Sequence, residues 1–321
     1  MQQKNIAIFG STGHIGKNLI SFFLKDNNFK LFLFSRDVTK FKSLGILFPD
    51  TTSFNSYDDF EKNEYDVIIN CTGISNPNEL LKNQSCIFDI IEFYDNKIIN
   101  YLKNYPTTFY INLSSGAVFG KEFPSPVDDT SISKFQINKI DKGEMYSLSK
   151  IYSESKHRYL PDLNIVDLRI FGFFSRFIDM NSGFFMSELI KAIKNKSEFV
   201  TDNEDIIRDY VDPSDFYELI KNCIMHKKIN DVFDVYSKKP ISKFQILQEY
   251  SKKFELKFHS TEKFESISPT GLKKIYYSLS RKAKKINYVP QFSSLETLLN
   301  ESSFILETHS ELFDQNIPKK S

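Results

Sequence analysis

Residues 145–150 read MYSLSK, which sets Tyr146 and Lys150 four positions apart. On a helix that spacing puts both side chains on one face. A phenol exchanges protons poorly near neutrality because its reference pKa is about 10. A neighbouring ammonium favours the phenolate and draws the group toward useful acid–base work. A further hydroxyl is offered by INLSSGAVFG at 111–120, where Ile111 and Leu113 alternate with polar residues and Ser115 follows at the strand end. Such a serine can hydrogen-bond a reacting oxygen. The two positions after it, Gly116 and Ala117, are nearly blank.

GSTGHIG places Gly10, Gly13 and Gly16 between an apolar run, NIAIFG, and the amphipathic stretch HIGKNLISFFLKD. The turn is tight, a diphosphate must approach the backbone, and the helix start favours negative charge. This predicts a dinucleotide site in which Thr12, His14 and Ile15 of the same loop take part. The second strand ends LFSRD. A carboxylate at that place suits the ribose 2′-hydroxyl of NAD, whereas Arg beside a small hydroxyl suits the 2′-phosphate of NADP. Ser35 and Arg36 precede Asp37, so NADP(H) is the expected cofactor. NAD(H) stays open, with Arg36 stacked on the adenine and Asp37 on the ribose.

Positioning these residues needs a scaffold, and the first half of the chain supplies the pattern of one. FKLFLFSRD, DVIINCTG, TFYINLSS and NIVDLRIFG read as strands. QSCIFDIIEFYDNKIINYLKNY and YSLSKIYSESKHRYL read as helices. Strands alternating with helices predict an α/β fold, a Rossmann-type doubly wound parallel sheet with a smaller C-terminal substrate-binding lobe. We expect residues 1–172 to form the dinucleotide-binding domain, with 209–239 returning to it, and residues 173–208 and 240–321 to form the lobe. The 321 residues carry 42 basic and 41 acidic side chains, so net charge points neither to nucleic acid nor to a membrane surface. The three cysteines stand far apart, which argues against a disulfide framework and a zinc site, and no metal is expected. The five scattered histidines read as solvated surface residues. No apolar run approaches ~20 residues, and a cytoplasmic location is expected.

At this point the chain resembles the extended short-chain dehydrogenase/reductase family of nucleotide-sugar epimerases, dehydratases and reductases. The resemblance rests on GSTGHIG, DVIINCTG, SSGAVFG, YSLSK with Glu154 on the same helix, VDLRIFG and IRDYVDPSD, and is tightest from residue 4 to residue 216. It implies that Ser115 is the triad hydroxyl, Tyr146 the acid/base, and Lys150 the group that lowers its pKa and holds the nicotinamide ribose. It further implies that Asn70, Cys71, Thr72, Gly73 and Phe171 line the cofactor. Arg208 would clamp a substrate diphosphate, for which a planar guanidinium is suited, with Ser115, Gly116 and Ala117 beside the sugar. Asp215 reads as structural. Two departures stand out: Ile170-Phe171-Gly172-Phe173-Phe174 replaces the family's Asn-containing turn, and Pro213 replaces an apolar residue.

The resemblance also sorts the reactions. Dehydratases of that family carry an Asp-Glu type pair directly after the hydroxyl, and 3,5-epimerases a Cys two residues after it. Gly116 and Ala117 can do neither job. What remains is an NADPH-dependent reductase of a nucleotide-linked keto-sugar, with C4 the expected carbon, or a C4 epimerase that retains NAD. Ser35 and Arg36 place the reductase first. A non-catalytic dinucleotide sensor is the minor alternative, opposed by the retention of both Tyr146 and Lys150. The expected partners are a nucleotide-diphosphate sugar and a second copy of the chain. The homodimer would pair helices at about 84–104 and 146–160 through Phe88, Ile91, Phe93, Ile98, Ile151, Tyr152 and Tyr159.

Overall fold

The computed structural model describes residues 3–37, 53–74, 86–120, 123–226, 228–262 and 273–312. Its centre is a parallel sheet built from β1 (Lys4–Phe9), β2 (Phe29–Phe34), β3 (Ser53–Asn55), β4 (Val67–Asn70), β5 (Phe109–Ser115), β6 (Ile165–Ile170) and β9 (Asn230–Asp234). The strand order is β3-β2-β1-β4-β5-β6-β9, so the direction of winding reverses between β1 and β4. In such sheets ligands bind at that switch point, beyond the carboxyl ends of the strands.

The inner strands are buried on both faces, as apolar runs such as IAIF, LFLF and VIIN require. Alternate residues serve different layers. Ile6, Ile8, Leu31, Leu33, Val67 and Ile69 meet α1 (His14–Phe23) and α5 (Pro213–Met225). Ala7, Phe9, Phe32, Phe34 and Ile68 meet α2 (Ile87–Asn104), and α3 (Met145–Arg158) packs beside α2. In this second layer Phe9, Phe34, Phe60, Tyr57 and Tyr65 pack mainly edge to face.

The other lobe has little sheet. β8 (Ile207–Arg208) lies between β10 (Ile241–Ser242) and β12 (Ile275–Tyr276), and β7 (Phe199–Asp202) pairs with β11 (Phe258–Thr261). Its core joins α4 (Phe185–Lys194), α6 (Lys243–Phe254) and α7 (Ser294–Leu312) through Leu189, Ile246, Tyr250 and Leu298. These strands are two to four residues long, too short to show a period in sequence.

Pro213 takes the first position of α5 behind an Asp212 cap, where a missing N–H costs nothing. Asp215 accepts the backbone N–H groups of Gln291 and Phe292 at 2.9–3.0 Å, a structural tie to the segment leading into α7. Two of the residues expected at a dimer face turn inward instead, because Ile91 and Ile98 pack into the core. Phe93, Tyr152 and Tyr159 of the same set are exposed. No helix among the described residues is long and apolar enough to cross a membrane.

Candidate active site

The glycine loop opens directly above β1. Gly10 has φ +69, and a Cβ there would stand 2.7 Å from the Cys71 carbonyl oxygen. A Cβ at Gly16 would stand 2.5 Å from the Gly10 carbonyl oxygen. Both close approaches require glycine. Gly13 caps α1 and donates to the Gly10 carbonyl at 2.9 Å. The first turn of α1 holds no acidic residue, so its positive end is left for an anion. Beside it the Thr12 and Ser35 hydroxyls lie 3.2 Å apart, and Arg36 is exposed just beyond. Asn70 accepts from the Thr72 N–H at 3.0 Å and shapes the turn after β4, where Gly73 has φ +150. Cys71 is held there by its backbone, and burial pushes its thiol up to about 12. These features fit a dinucleotide lying across the switch point.

Two loop residues face elsewhere. The His14 ring bonds the Ser175 hydroxyl at 2.8 Å and meets the Phe173 ring edge-on, so only its backbone faces the loop opening. Burial, with Lys17 nearby, pulls it down to about 3, which keeps it neutral. Ile15 packs against the core. Tyr57 was not singled out in the sequence, yet its hydroxyl accepts the Gly10 N–H at 2.9 Å and props the loop.

Ser115 ends β5 and Tyr146 and Lys150 come from α3, so two elements bring the triad together. Lys150 is buried and donates to the Leu113 carbonyl at 2.8 Å, with Nζ 5.8 Å from the Tyr146 ring centroid. Burial lowers its pKa to about 8 against the pull of Asp167, Asp95 and Glu154. Burial raises the Tyr146 phenol, and the Ser115 hydroxyl works the other way. The expectation that Lys150 brings the phenol down therefore meets a site in which burial acts most strongly on both groups.

The blank positions have a packing cause. A Cβ at Gly116 would come within 2.4 Å of the Phe171 ring, and Ala117 is buried. Phe171, assigned to the cofactor from sequence, lies over Gly116 and against Tyr276 at 5.2 Å.

Behind the triad lies a buried polar lattice. Ser114 donates to Glu154 at 2.6 Å, and Arg169 grips the same carboxylate with two nitrogens. His157 corrects the surface reading of the histidines, for it is fully buried. Its Nδ1 faces Asp167 at 2.8 Å and its Nε2 faces Asp95 at 2.8 Å, so both nitrogens must donate and the ring is an imidazolium. Tyr110 joins Asp95 to Asn70, with bonds of 2.8 and 3.0 Å. The helix that carries Tyr146 is thereby tied to the turn after β4.

Arg208 reaches the site from β8 and is not paired with Asp209, which instead binds Ser237 and Ser294. Its guanidinium lies 5.8 Å from the Tyr276 ring centroid. Lys273 lies 4.5 Å over the same ring, and burial and Arg208 lower its pKa to about 8. The Tyr276 hydroxyl is 3.2 Å from Ser115 Oγ. Neither Lys273 nor Tyr276 stands out in the sequence. The one available signal is register, since β12 pairs with β8 and sets Tyr276 beside Arg208. A separate cleft of about 640 Å³, bounded by Phe119, Glu154, Arg158, Arg169 and Lys282, holds none of the triad.

The model of the NAD dependent epimerase/dehydratase family matches residues 6–236. The sequence matches no curated protein at a significant level. Among solved structures, a UDP-glucose-4-epimerase from Stenotrophomonas maltophila with bound NAD and formylated UDP-arabinopyranose is similar at TM-score 0.80 and 13% identity, covering 96% of this chain and 99% of that one. A UDP-N-acetylglucosamine 4-epimerase from Methanobrevibacter ruminantium M1, in complex with UDP-N-acetylmuramic acid, gives 0.77 and 18%, covering 96% and 100%. A dTDP-glucose 4,6-dehydratase from Bacillus anthracis str. Ames in complex with NAD gives 0.74 and 13%, covering 96% and 98%. With a matched span that takes in the glycine loop, the serine strand, the Tyr146–Lys150 helix and the sheet's last strand, the chain belongs to the NAD dependent epimerase/dehydratase family, within the extended short-chain dehydrogenases/reductases.

Proposed function

We propose that this protein is a nucleotide-sugar 4-epimerase that retains NAD. The observation that carries hydride chemistry is the meeting of Ser115, Tyr146 and Lys150 beside positions 116 and 117, which hold neither acid, base nor thiol. Epimerisation ranks above net reduction because two of the structural relatives described are 4-epimerases, one of them with bound NAD. This reverses the order expected from Ser35 and Arg36 alone.

Bound NAD would supply a reversible hydride acceptor at the sugar carbon. Tyr146 then takes the proton from the C4 hydroxyl as the sugar is oxidised and returns it as the sugar is reduced on the other face. Ser115 donates to the same oxygen and polarises the keto form. Lys150, held by the Leu113 carbonyl, keeps positive charge beside the phenolate. Arg208 and Lys273 provide two cations for the diphosphate, which orients the sugar without touching the reacting carbon.

Incubation of the purified protein with UDP-hexoses, without added cofactor, tests the proposal. Interconversion of C4 epimers is the expected result. No interconversion of UDP-hexoses, together with oxidation of one NADPH per molecule of a supplied 4-keto nucleotide sugar, would instead establish a ketoreductase. That second reading is favoured by the exposed Arg36 next to Ser35 and by the lack of a carboxylate directly at the end of β2.

A further inference from the structure

We propose that Tyr276 is a positioning residue for the proton transfer, holding the Ser115 hydroxyl so that its hydrogen points to Tyr146 and the substrate oxygen. The proposal rests on the assignment of Ser115 and Tyr146 to that transfer. Tyr276 is 161 residues from Ser115 in sequence and 3.2 Å from its Oγ in the fold. Ser115 Oγ also accepts the Ala117 N–H at 3.1 Å, the cap of the short turn that follows β5.

A serine hydroxyl has one hydrogen to give and two lone pairs to receive. A phenol packed against other rings must also place its hydrogen, since a donor left unused there costs more than a hydrogen bond gains. Among the described residues, Ser115 Oγ is the partner recorded for the Tyr276 hydroxyl. In the proposed arrangement Tyr276 donates, Ala117 and Tyr276 fill both serine lone pairs, and the serine hydrogen is left for the reacting side. A hydroxyl that accepts a hydrogen bond is a stronger donor in turn, so the chain from Tyr276 through Ser115 favours the Tyr146 phenolate.

The ring is held firmly enough to do this. It meets Phe123 edge-on at 5.0 Å and Phe171 at 5.2 Å, and the Lys273 ammonium covers it at 4.5 Å. Its backbone is paired to Arg208 through β12 and β8. The serine is thus oriented by a strand of the C-terminal lobe, and the catalytic hydroxyl is fully set only when that strand is docked.

Tyr276→Phe in the NAD-loaded, full-length protein keeps the ring and removes the hydrogen. The expected result is a fall in kcat of about two- to tenfold, the net worth of one hydrogen bond, with KM for the UDP-sugar little changed. The Tyr146 titration, followed as phenolate absorbance against Tyr146→Phe, should move to higher pH. Both effects should vanish in a Ser115→Ala background, because Tyr276 acts through that serine. Equal losses with and without Ser115, a change confined to KM, or an unmoved Tyr146 titration would overturn the proposal. The titration needs no turnover, so a protein that converts no nucleotide sugar would defeat the epimerase reading while still testing Tyr276.

Discussion

Replacing Tyr146 by Phe removes the one oxygen assigned to proton transfer and leaves the ring in place. Turnover should fall about a hundredfold or more, while NAD affinity, measured by fluorescence titration, stays near that of the parent. Loss of NAD binding would move Tyr146 from chemistry to cofactor anchoring. Arg36→Ala probes the other end of the cofactor. It should weaken NADPH binding about tenfold or more, the worth of a charged hydrogen bond, and leave NAD almost unaffected. Calorimetric dissociation constants for the two cofactors decide this, and equal losses would remove Arg36 from 2′-phosphate recognition. Ser115, Tyr146, Lys150 and the loop glycines were legible in the sequence because each set lies within one element or one turn. Tyr57, Lys273 and Tyr276 were not, because tertiary register alone brings them to the site. Gly116 was noticed for lacking a functional group, and the structure adds that the Phe171 ring leaves no room for one.

At the scale of elements, α3 does more than carry Tyr146 and Lys150, since His157 near its end ties it to α2 and β6. Burial opposes the charged ring, and Asp167 and Asp95 overcome that, raising it from the ordinary value of 6.5 to about 9. Asp95 comes from α2 and Asp167 from β6, while Lys156, Arg158 and Tyr110 complete the surroundings. A group whose folded pKa is raised gives its full stabilisation below the unfolded value and loses it as pH climbs through the folded one. His157 should therefore stabilise fully below about pH 6.5 and progressively less up to and beyond about pH 9. His157→Leu leaves two buried carboxylates without their shared partner and should cost about 3 kcal/mol or more in urea unfolding. The same variant should flatten the pH dependence of stability across that window, and an unchanged slope would show that the ring is not the titrating group. The helices themselves were readable from periodicity. The imidazolium was not, because its burial depends on acids from two other elements.

For the whole molecule, the sheet and its switch point followed from alternating strands and helices, whereas the C-terminal lobe was blurred because its short strands leave no pattern. A homodimer through α2 and α3 keeps its exposed candidates, with Phe93 at 61% and Tyr159 at 84% exposure. If two copies pair through that face, Phe93→Glu combined with Tyr159→Glu should shift sedimentation from dimer to monomer with unchanged far-UV circular dichroism, since neither side chain is in the core. A parent protein that sediments as a monomer would rule that face out as a self-association surface. The most direct measurement for the assembled enzyme follows deuterium placed at C4 of a UDP-hexose, with no cofactor added. If hydride is withdrawn and returned within one NAD-loaded site, the C4 epimer forms and keeps its deuterium at C4. Loss of the label to solvent, its transfer to free dinucleotide, or no conversion of the UDP-hexose while a 4-keto nucleotide sugar consumes NADPH would contradict epimerisation by a retained cofactor.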